Sequence, residues 1–173
     1  LLGDTLMLTP LLAKLRARYP AAEIAMALPR PCVPLYASRP YGVRALGWNP
    51  RDASSVRGLL REPDFDLALI PGDNRHAWLA QAMGARWIVA FAGDRPAYKS
   101  WPVDELRAYS AAPATWFDMT ATLVDGDPPG AFSPSDWTPP AAAPFTLPQR
   151  PYCVLHVGAS SRLKLWEPGR WHA

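Results

Sequence analysis

The sequence has little from which to build a disulfide framework, a zinc site or a membrane span. Its two cysteines, Cys32 and Cys153, lie far apart and in no Cys-x-x-Cys spacing, so we expect two free thiols. The three histidines show no zinc-ligand spacing, and we predict no metal site. No apolar run approaches the roughly 18 residues that a membrane helix needs. A signal peptide is disfavoured because Asp4 interrupts the apolar N-terminus and no basic region precedes it. These absences favour a cytoplasmic protein.

Lysine is scarce, and the glycine motifs of common nucleotide-binding proteins are absent. Lysine occurs only at positions 14, 99 and 164, and the net charge of +3 is too small to indicate a nucleic-acid partner. Neither a GxGxxG sequence after a strand nor a Walker loop occurs. A dinucleotide-dependent dehydrogenase is therefore disfavoured, although another nucleotide-dependent enzyme with a Rossmann-like fold stays an alternative.

The patterns that are present alternate helices with strands. Residues 4–19 predict a helix that is either kinked at Pro10 or divided there, with Thr9 as the N-cap of a second segment. Later patterns predict strands at 23–28, 43–48, 65–70 and 87–91, a helical turn at 31–38, and helices at 54–62 (capped by Ser54 or Ser55) and 75–83 (closed by Gly84). This order predicts an α/β fold with a mostly parallel sheet covered on both faces.

A proline-rich segment divides the chain. Eight prolines fall between Pro128 and Pro151, and no periodic pattern survives that density. We therefore predict a Rossmann-like domain over 1–127, a linker over 128–151 and the start of a second domain over 152–173. In the last of these, a strand at 152–157, a small-residue loop and a helix from Pro168 are expected. The first domain lacks a strand before Gly3-Asp4, so we expect that strand to precede Leu1.

Asp4 is the first candidate for chemistry. A carboxylate directly after a glycine, at the point where a strand would meet a helix, can face a ligand cleft because ligands bind beyond the carboxyl ends of parallel strands. There it could act as a general base. Spacing alone favours the simpler interpretation, in which Asp4 caps the helix without any catalysis.

Two further loops carry candidate binding residues. The loop with Ser160, Ser161 and Lys164 could bind a phosphate through hydroxyls, backbone amides and a positive charge. A polar turn that satisfies its own backbone explains it equally well. The loops after the strands at 65–70 and 87–91 carry Arg75, Arg95 and Lys99, which are candidates for an anionic acceptor, together with aromatic residues suited to stacking on a sugar. Helix capping is the likelier role for Asp73 and Asn74 in the first of these loops.

Two segments of the chain together resemble a known family. Residues 2–12 (Leu-Gly-Asp-Thr-Leu-Met-Leu-Thr-Pro-Leu-Leu), with Leu15-Arg16 and Tyr19-Pro20 after them, resemble the start of the lipopolysaccharide heptosyltransferases, glycosyltransferase family 9. Residues 155–161 (Leu-His-Val-Gly-Ala-Ser-Ser), followed by Lys164-Leu165-Trp166 and Arg170-Trp171, resemble the opening of that family's second domain. The strand at 65–70 fits between them.

The resemblance implies a GT-B architecture, in which two Rossmann-like domains face each other across a cleft. It implies an inverting, metal-independent transferase, without a cofactor, that moves a heptose-like sugar from a nucleotide-diphosphate donor to an acceptor of the lipopolysaccharide-core type. Asp4 matches the proposed base, Lys164 matches a lysine that holds the donor diphosphate, and Ser160 and Ser161 match neighbouring hydroxyl positions. The implied setting is bacterial and cytoplasmic, with possible peripheral association at the inner membrane.

The resemblance also implies that these residues are about the first half of such an enzyme. We therefore expect the 173 residues alone to be inactive, since most of the donor domain would follow Ala173. A non-catalytic module that binds a sugar or a phosphate on the same fold is the alternative from another class.

Overall fold

The computed structural model describes residues 2–141, 143–155, 158–159, 161–167 and 169–170. The chain divides into two compact units, Leu1–Pro140 and Ala141–Ala173. In the described residues, every α-helix and every strand lies in the first unit. The proline-rich segment is divided between the two units, with the boundary after Pro140.

The first unit alternates helices with strands. In chain order it contains α1 (Leu2–Leu6), α2 (Thr9–Arg18), β1 (Ile24–Pro29), β2 (Val43–Trp48), α3 (Ala53–Leu59), β3 (Ala68–Ile70), α4 (His76–Ala82), β4 (Ile88–Phe91), β5 (Glu105–Arg107) and α5 (Trp116–Ala121). Short 3₁₀ turns at Arg30–Tyr36, Pro40–Gly42, Ala97–Ser100 and Pro134–Asp136 join some of these elements.

The strands form two parallel sheets. One sheet pairs β1 with β2, from Ile24 opposite Val43 to Pro29 opposite Trp48. The other has the order β3-β4-β5, with Ile70 opposite Ala90 and Ala90 in turn opposite Leu106. Mixed α/β structure with parallel pairing is therefore confirmed, and it is compatible with a Rossmann-like fold.

Helix α2 packs against both sheets. Leu12 belongs to a core cluster with the buried side chains of β1, whereas Leu11 belongs to a second cluster with β4. Leu8 and Leu15 contact both clusters. Leu11, Leu12 and Leu15 of α2, together with Leu8 directly before the helix, form an apolar face that contacts the cores of both sheets.

Strand β4 is buried on both of its faces. Val89 and Phe91 contact the cluster that contains Leu11 of α2, whereas Ile88 and Ala90 pack with α4. Because side chains alternate across a strand, α2 and α4 lie on opposite faces of this sheet. The expectation of a parallel sheet covered on both faces is confirmed here, and it explains why β4 is a continuous apolar run.

The N-terminal helix is divided rather than kinked. α1 ends at Leu6 and α2 begins at Thr9, with Pro10 in its first turn, where a missing amide proton is harmless. The expected N-cap is wrong, because Leu8 holds that position and no side chain caps the helix. The hydroxyl of Thr9 instead donates to the carbonyl of Leu6 at 2.6 Å.

The cap of α3 also differs from the prediction. Asp52 is the N-cap residue, and its carboxylate accepts hydrogen bonds from the amide of Ser54 at 2.9 Å and from its hydroxyl at 2.7 Å. Ser55 points inward, where its hydroxyl donates to Asn49 O. The carboxylate of Asp52 accepts from both the amide and the hydroxyl of Ser54. Asp52 is therefore the capping residue, and the serines after it are not.

Two elements lie in the stretch after residue 91, for which no strand or helix was predicted. β5 has three residues with charged ends, and α5 begins after Thr115, whose hydroxyl accepts from the amide of Asp118 at 3.2 Å. β3 is also shorter than predicted, beginning at Ala68 instead of 65. Strands this short carry no readable periodicity.

The second unit does not contain the predicted strand in its described part. Residues 152–155 form no strand, and Val154 and Leu155 are 79% and 72% exposed. The prediction over 152–157 is therefore wrong for those four residues, because an apolar run becomes a strand only when neighbouring strands pair with it. His156, Val157 and Pro168, the expected start of a helix, lie outside the described residues.

Candidate functional site

A large cleft in the first unit is lined by residues of both sheets. Its volume is about 1440 Å³, and β1 and β3 both contribute to its lining. Asp4 and Asp73, which come from distant parts of the chain, both line it. The predicted catalytic carboxylate therefore faces a ligand-sized space, larger than the roughly 300–1,000 Å³ of common small-molecule pockets.

Asp4 is held at this cleft by the short helix α1. It is exposed and is the third residue of the helix, not the capping residue before it. The next residue, Thr5, is buried, and its carbonyl accepts a hydrogen bond from the hydroxyl of Tyr36 at 3.2 Å. Burial raises the pKa of Tyr36 well above its usual range, so the hydroxyl keeps its proton and the anchor holds at neutral pH.

A second group of polar residues, which we call the polar cluster, links the loops after β3 and β4. The buried amide of Asn74 donates to the carbonyl of Phe91 and to the hydroxyl of Ser100, both at 2.8 Å. The backbone amide of Asn74 donates to the carboxylate of Asp94 at 2.9 Å. Asp73, Asn74, Asp94, Lys99 and Ser100 make up the cluster, which fixes the two loops to each other.

Carboxylates hold two of the predicted acceptor-binding cations. Lys99 Nζ lies 2.9 Å from Asp94 Oδ1 and 3.5 Å from Asp73 Oδ2, and its side chain is 15% exposed. Arg75 pairs with the same Asp73 through Nε at 2.9 Å and Nη2 at 2.6 Å. The side chain of Arg95, the third predicted cation, is exposed. An anion that binds here must compete with two carboxylates for Arg75 and Lys99.

These ion pairs keep the carboxylates charged. The hydrogen bond from Arg75 lowers the pKa of Asp73 well below its usual range, against the opposing effect of burial. The hydrogen bond from Lys99, followed by the one from the Asn74 amide, lowers the pKa of Asp94. The pKa of Lys99 is raised in turn by Asp94. The cluster is therefore ionised across the physiological range and is not poised for proton transfer.

Aromatic side chains border the polar cluster. Trp78 and Trp101 meet edge to face, with ring centroids 6.4 Å apart, and the indole nitrogen of Trp78 donates to the carbonyl of Tyr98 at 3.0 Å. Trp101 is 73% exposed and Tyr98 is 46% exposed. Exposed indole rings beside charged groups can stack on the apolar face of a sugar while polar neighbours bind its hydroxyls.

The predicted phosphate-binding loop lies in the second unit. The hydroxyl of Ser161 accepts from the amide of Leu163 at 3.3 Å, so it caps the 3₁₀ turn Arg162–Lys164. Lys164 is exposed at the end of that turn. Ser160 lies outside the described residues. The contact of Ser161 agrees with a polar turn that satisfies its own backbone, the simpler of the two interpretations of this loop.

The described part of the chain holds neither a candidate metal-binding group nor a candidate membrane span. No group of three or more His, Cys, Asp or Glu side chains there could hold a metal ion. No helix among those residues is long and apolar enough to cross a membrane. Comparison with protein-family models, with curated proteins and with solved structures finds no match to this chain.

The polar cluster is the part of the site that sequence reasoning did not find. Asn74 was interpreted as a helix cap, yet its side chain bonds across to Phe91 and Ser100, and α4 has no side-chain cap. The usable signal was the position of Asn74 and Asp94, each in the turn after one of two consecutive strands. Turns after adjacent parallel strands lie at the same edge of a sheet, so their side chains can meet.

Proposed function

We propose that this chain belongs to an inverting, metal-independent glycosyltransferase of the GT-B type, similar to the lipopolysaccharide heptosyltransferases. In this proposal the unit Leu1–Pro140 binds the acceptor, and the residues after it begin the domain that binds a nucleotide-diphosphate sugar. The observation that carries the proposal is the position of Asp4, an exposed carboxylate in the first turn of a helix that lines a large cleft between parallel strands.

The chemistry follows from that position. The carboxylate of Asp4 takes the proton from an acceptor hydroxyl, and the oxygen attacks the anomeric carbon of the donor sugar from the face opposite the diphosphate. The bond between that carbon and the diphosphate oxygen breaks, a glycosidic bond forms and the configuration inverts. The leaving diphosphate carries the developing charge, which Lys164 and the hydroxyls of Ser160 and Ser161 stabilise.

The aromatic residues beside the polar cluster support acceptor binding by the first unit. Trp101 presents an exposed ring, and Arg75, Arg95 and Lys99 lie in the loops after β3 and β4. An acceptor of the lipopolysaccharide-core type offers sugar rings for stacking and anionic groups for the cations. Such an acceptor is anchored in a membrane, which accounts for the proposed peripheral position at the inner membrane.

The direct test uses the complete gene product, a set of nucleotide-diphosphate sugars that includes ADP-heptose, and lipopolysaccharide-core oligosaccharides as acceptors. We expect release of the nucleoside diphosphate that depends on the acceptor and persists in EDTA. Turnover that stops in EDTA would contradict the proposed metal-independent mechanism. Sugar binding without turnover for every pair would favour the non-catalytic module instead.

Lys164→Ala in the same protein tests the donor assignment. Loss of one charge-assisted contact to a diphosphate should raise the donor KM by about tenfold or more, since such a contact contributes roughly 1.5–3 kcal/mol. Arg150→Ala is the control, because Arg150 is an exposed cation of the same unit and has no assigned contact to the donor. An unchanged donor KM and kcat in Lys164→Ala would contradict the assignment.

A further inference from the structure

Three aromatic rings meet at the carboxyl edge of the sheet β3-β4-β5. Phe91 is the last residue of β4, and Tyr109 follows the end of β5 by two residues. Their rings stack with centroids 4.6 Å apart and with 18° between their planes. Trp116, the first residue of α5, lies 6.1 Å from Phe91 and 6.4 Å from Tyr109. These three residues, which we call the aromatic platform, lie at the edge where parallel sheets bind ligands.

The outer face of the Tyr109 ring is open. Phe91 is 1% exposed and stacks on the inner face of that ring. Because Trp116 is almost equally distant from both rings, it lies beside the stack and not over the outer face of Tyr109. Tyr109 is accordingly 48% exposed. A flat ring that is supported on one face and open on the other can stack on the ring of a ligand.

The Tyr109 ring is held in this position by the loop that follows it. The amide of Ser110 donates to the sulfur of Met119 in α5 at 3.3 Å, and the hydroxyl of Ser110 donates to the carbonyl of Ala112 at 3.1 Å. These contacts fix the backbone directly after Tyr109 to α5. A ligand that stacks on a ring already fixed in place loses little binding energy to ordering of the protein.

The charges of this segment distinguish between ligand classes. No Lys or Arg occurs between Arg107 and Arg150, whereas Asp118 and Asp125 lie in that interval. Arg107 itself is paired with Glu105 at 2.7 Å and with Asp125 at 2.8 Å. A phosphate group would find no free cation in this segment, while carboxylates accept hydrogen bonds from hydroxyls. The platform therefore suits an uncharged sugar better than a nucleotide or a phosphorylated sugar.

We propose that the aromatic platform is a subsite for an uncharged pyranose ring, whose apolar face stacks on Tyr109. Trp116 also lines the cleft that Asp4 faces, so the platform borders the proposed acceptor site. The surface around Trp101 differs, because its neighbouring cations suit anionic groups. Naming the sugar as part of the acceptor rests on the proposed function, whereas sugar binding itself requires no transfer.

The test measures sugar binding to the 173-residue protein in the absence of any donor. The probes are the methyl glycosides of mannose, glucose and galactose, with mannose 6-phosphate as the charged comparison. Saturation-transfer NMR should show the strongest transfer to the C–H protons on one face of a neutral ring. In an NMR titration, Tyr109→Ala should raise the Kd of that glycoside by at least about fivefold, because the stacking ring is lost.

Two further variants separate stacking from other roles of Tyr109. Tyr109→Phe keeps the ring and should bind within about twofold of the wild type. Tyr109→Leu keeps an apolar side chain over Phe91 without a flat ring, and it should lose as much affinity as Tyr109→Ala. The control is Phe117→Ala, because Phe117 is a 41% exposed aromatic residue of the same helix outside the platform.

Unchanged binding in Tyr109→Leu, an equal loss in Phe117→Ala, or no binding of any methyl glycoside would overturn the subsite. Tighter binding of mannose 6-phosphate than of methyl mannoside would overturn its preference for an uncharged ring. Sugar binding that depends on Tyr109, in a complete gene product that shows no transfer with any donor, would support the subsite and contradict the proposed function. Transfer with an acceptor KM that Tyr109→Leu leaves unchanged would do the reverse.

Discussion

The two units of this chain use the same kinds of residues in different ways. In Leu1–Pro140, apolar side chains meet partners far along the chain, as Leu11 does with Phe91. In the described part of Ala141–Ala173, large apolar side chains such as Leu163, at 97%, are exposed. Polar contacts differ in the same way: Asn74 bonds to Phe91 and Ser100, whereas Ser161 bonds to Leu163, two residues away.

This difference shows what local sequence patterns can and cannot specify. The apolar runs at 87–91 and 152–157 have similar composition. The first has strands on both sides, in β3 and β5, whereas the described residues 152–155 of the second pair with no strand. Burial of apolar surface is the main stabilising effect, and it requires long-range neighbours. A run without neighbours forms only the short turns that its own backbone supports.

The largest expected effect on stability comes from truncating a phenylalanine to alanine in each of the two units. Phe91→Ala removes a side chain that is 1% exposed and stacks on Tyr109 at 4.6 Å. We expect it to lower the free energy of unfolding in urea by about 3–5 kcal/mol. Phe145→Ala, at a position that is 80% exposed, should change it by less than about 0.5 kcal/mol. Equal losses would mean that the second unit has a core of its own.

A smaller loss of stability should follow removal of the Asn74 side-chain amide, which links two loops in the polar cluster. Asn74→Ala deletes two hydrogen bonds and leaves the carbonyl of Phe91 and the hydroxyl of Ser100 without this donor. We expect a loss of about 2 kcal/mol in the same urea experiment. The control is Asn49→Ala, because the side chain of Asn49 accepts from the nearby amide of Arg51. If both variants lose the same stability, the hydrogen bonds that link the two loops contribute no more than one local hydrogen bond.

The boundary between the units can be tested at Trp137. Its indole nitrogen donates to the carbonyl of Leu35 at 2.7 Å, and its ring lies 4.8 Å from that of Tyr36. Trp137→Phe keeps an aromatic ring and removes the donor, so we expect a loss of about 1 kcal/mol. Trp101→Phe, at an exposed position, is the control. No loss at Trp137 would place the end of the first unit earlier in the proline-rich segment.

The smallest effect should be a change in pH dependence. Lys99 lowers the pKa of Asp94 from its ordinary value of 3.8. A carboxyl with a lowered folded pKa stabilises the fold above its unfolded pKa, and this stabilisation is lost as the pH falls through the folded value. The stability difference between the wild-type protein and Asp94→Asn should therefore be constant near pH 7 and shrink below about pH 4.

The matched control for Asp94 is a local ion pair of the second unit. Glu167 pairs with Arg170 at 3.8 Å, and both side chains are largely exposed. Because exposed pairs contribute little, Glu167→Gln should leave the pH dependence of unfolding unchanged. A stability difference for Asp94→Asn that grows as the pH falls would contradict the sign derived for Asp94.

Much of the fold could be predicted because its signals are local. The strands at 24–29, 43–48 and 88–91 were readable from apolar runs, and the proline at position 10 correctly marked the start of α2. β5 and α5 were missed because a three-residue strand and a six-residue helix carry too little pattern. The strand predicted at 152–155 is wrong for the opposite reason. The local apolar pattern there is strong, but no neighbouring strand pairs with it in the described residues.

The candidate site divides in the same way. Asp4 could be singled out as a candidate from its neighbours, and it lies in the first turn of a helix that lines a cleft. Its role as a base came from the family resemblance and stays a prediction. The bond between Asn74 and Phe91 spans 17 residues, and its geometry depends on the pairing of β3 with β4. No local spacing encodes such a contact. In the same way, only the assembled sheet brings Asp73 within 3.5 Å of Lys99.

The proposed role of Asp4 can be tested most directly by the kcat of Asp4→Asn in the complete gene product. The matched control is Asp66→Asn, because Asp66 lines the same cleft and its carboxylate is 89% exposed beside Arg86. Loss of the general base should lower kcat by about 10²–10⁴-fold without a change in Tm, while Asp66→Asn stays within about threefold of the wild type. Near-normal turnover in Asp4→Asn, or an equal loss in both variants, would contradict the assignment of Asp4 as the base.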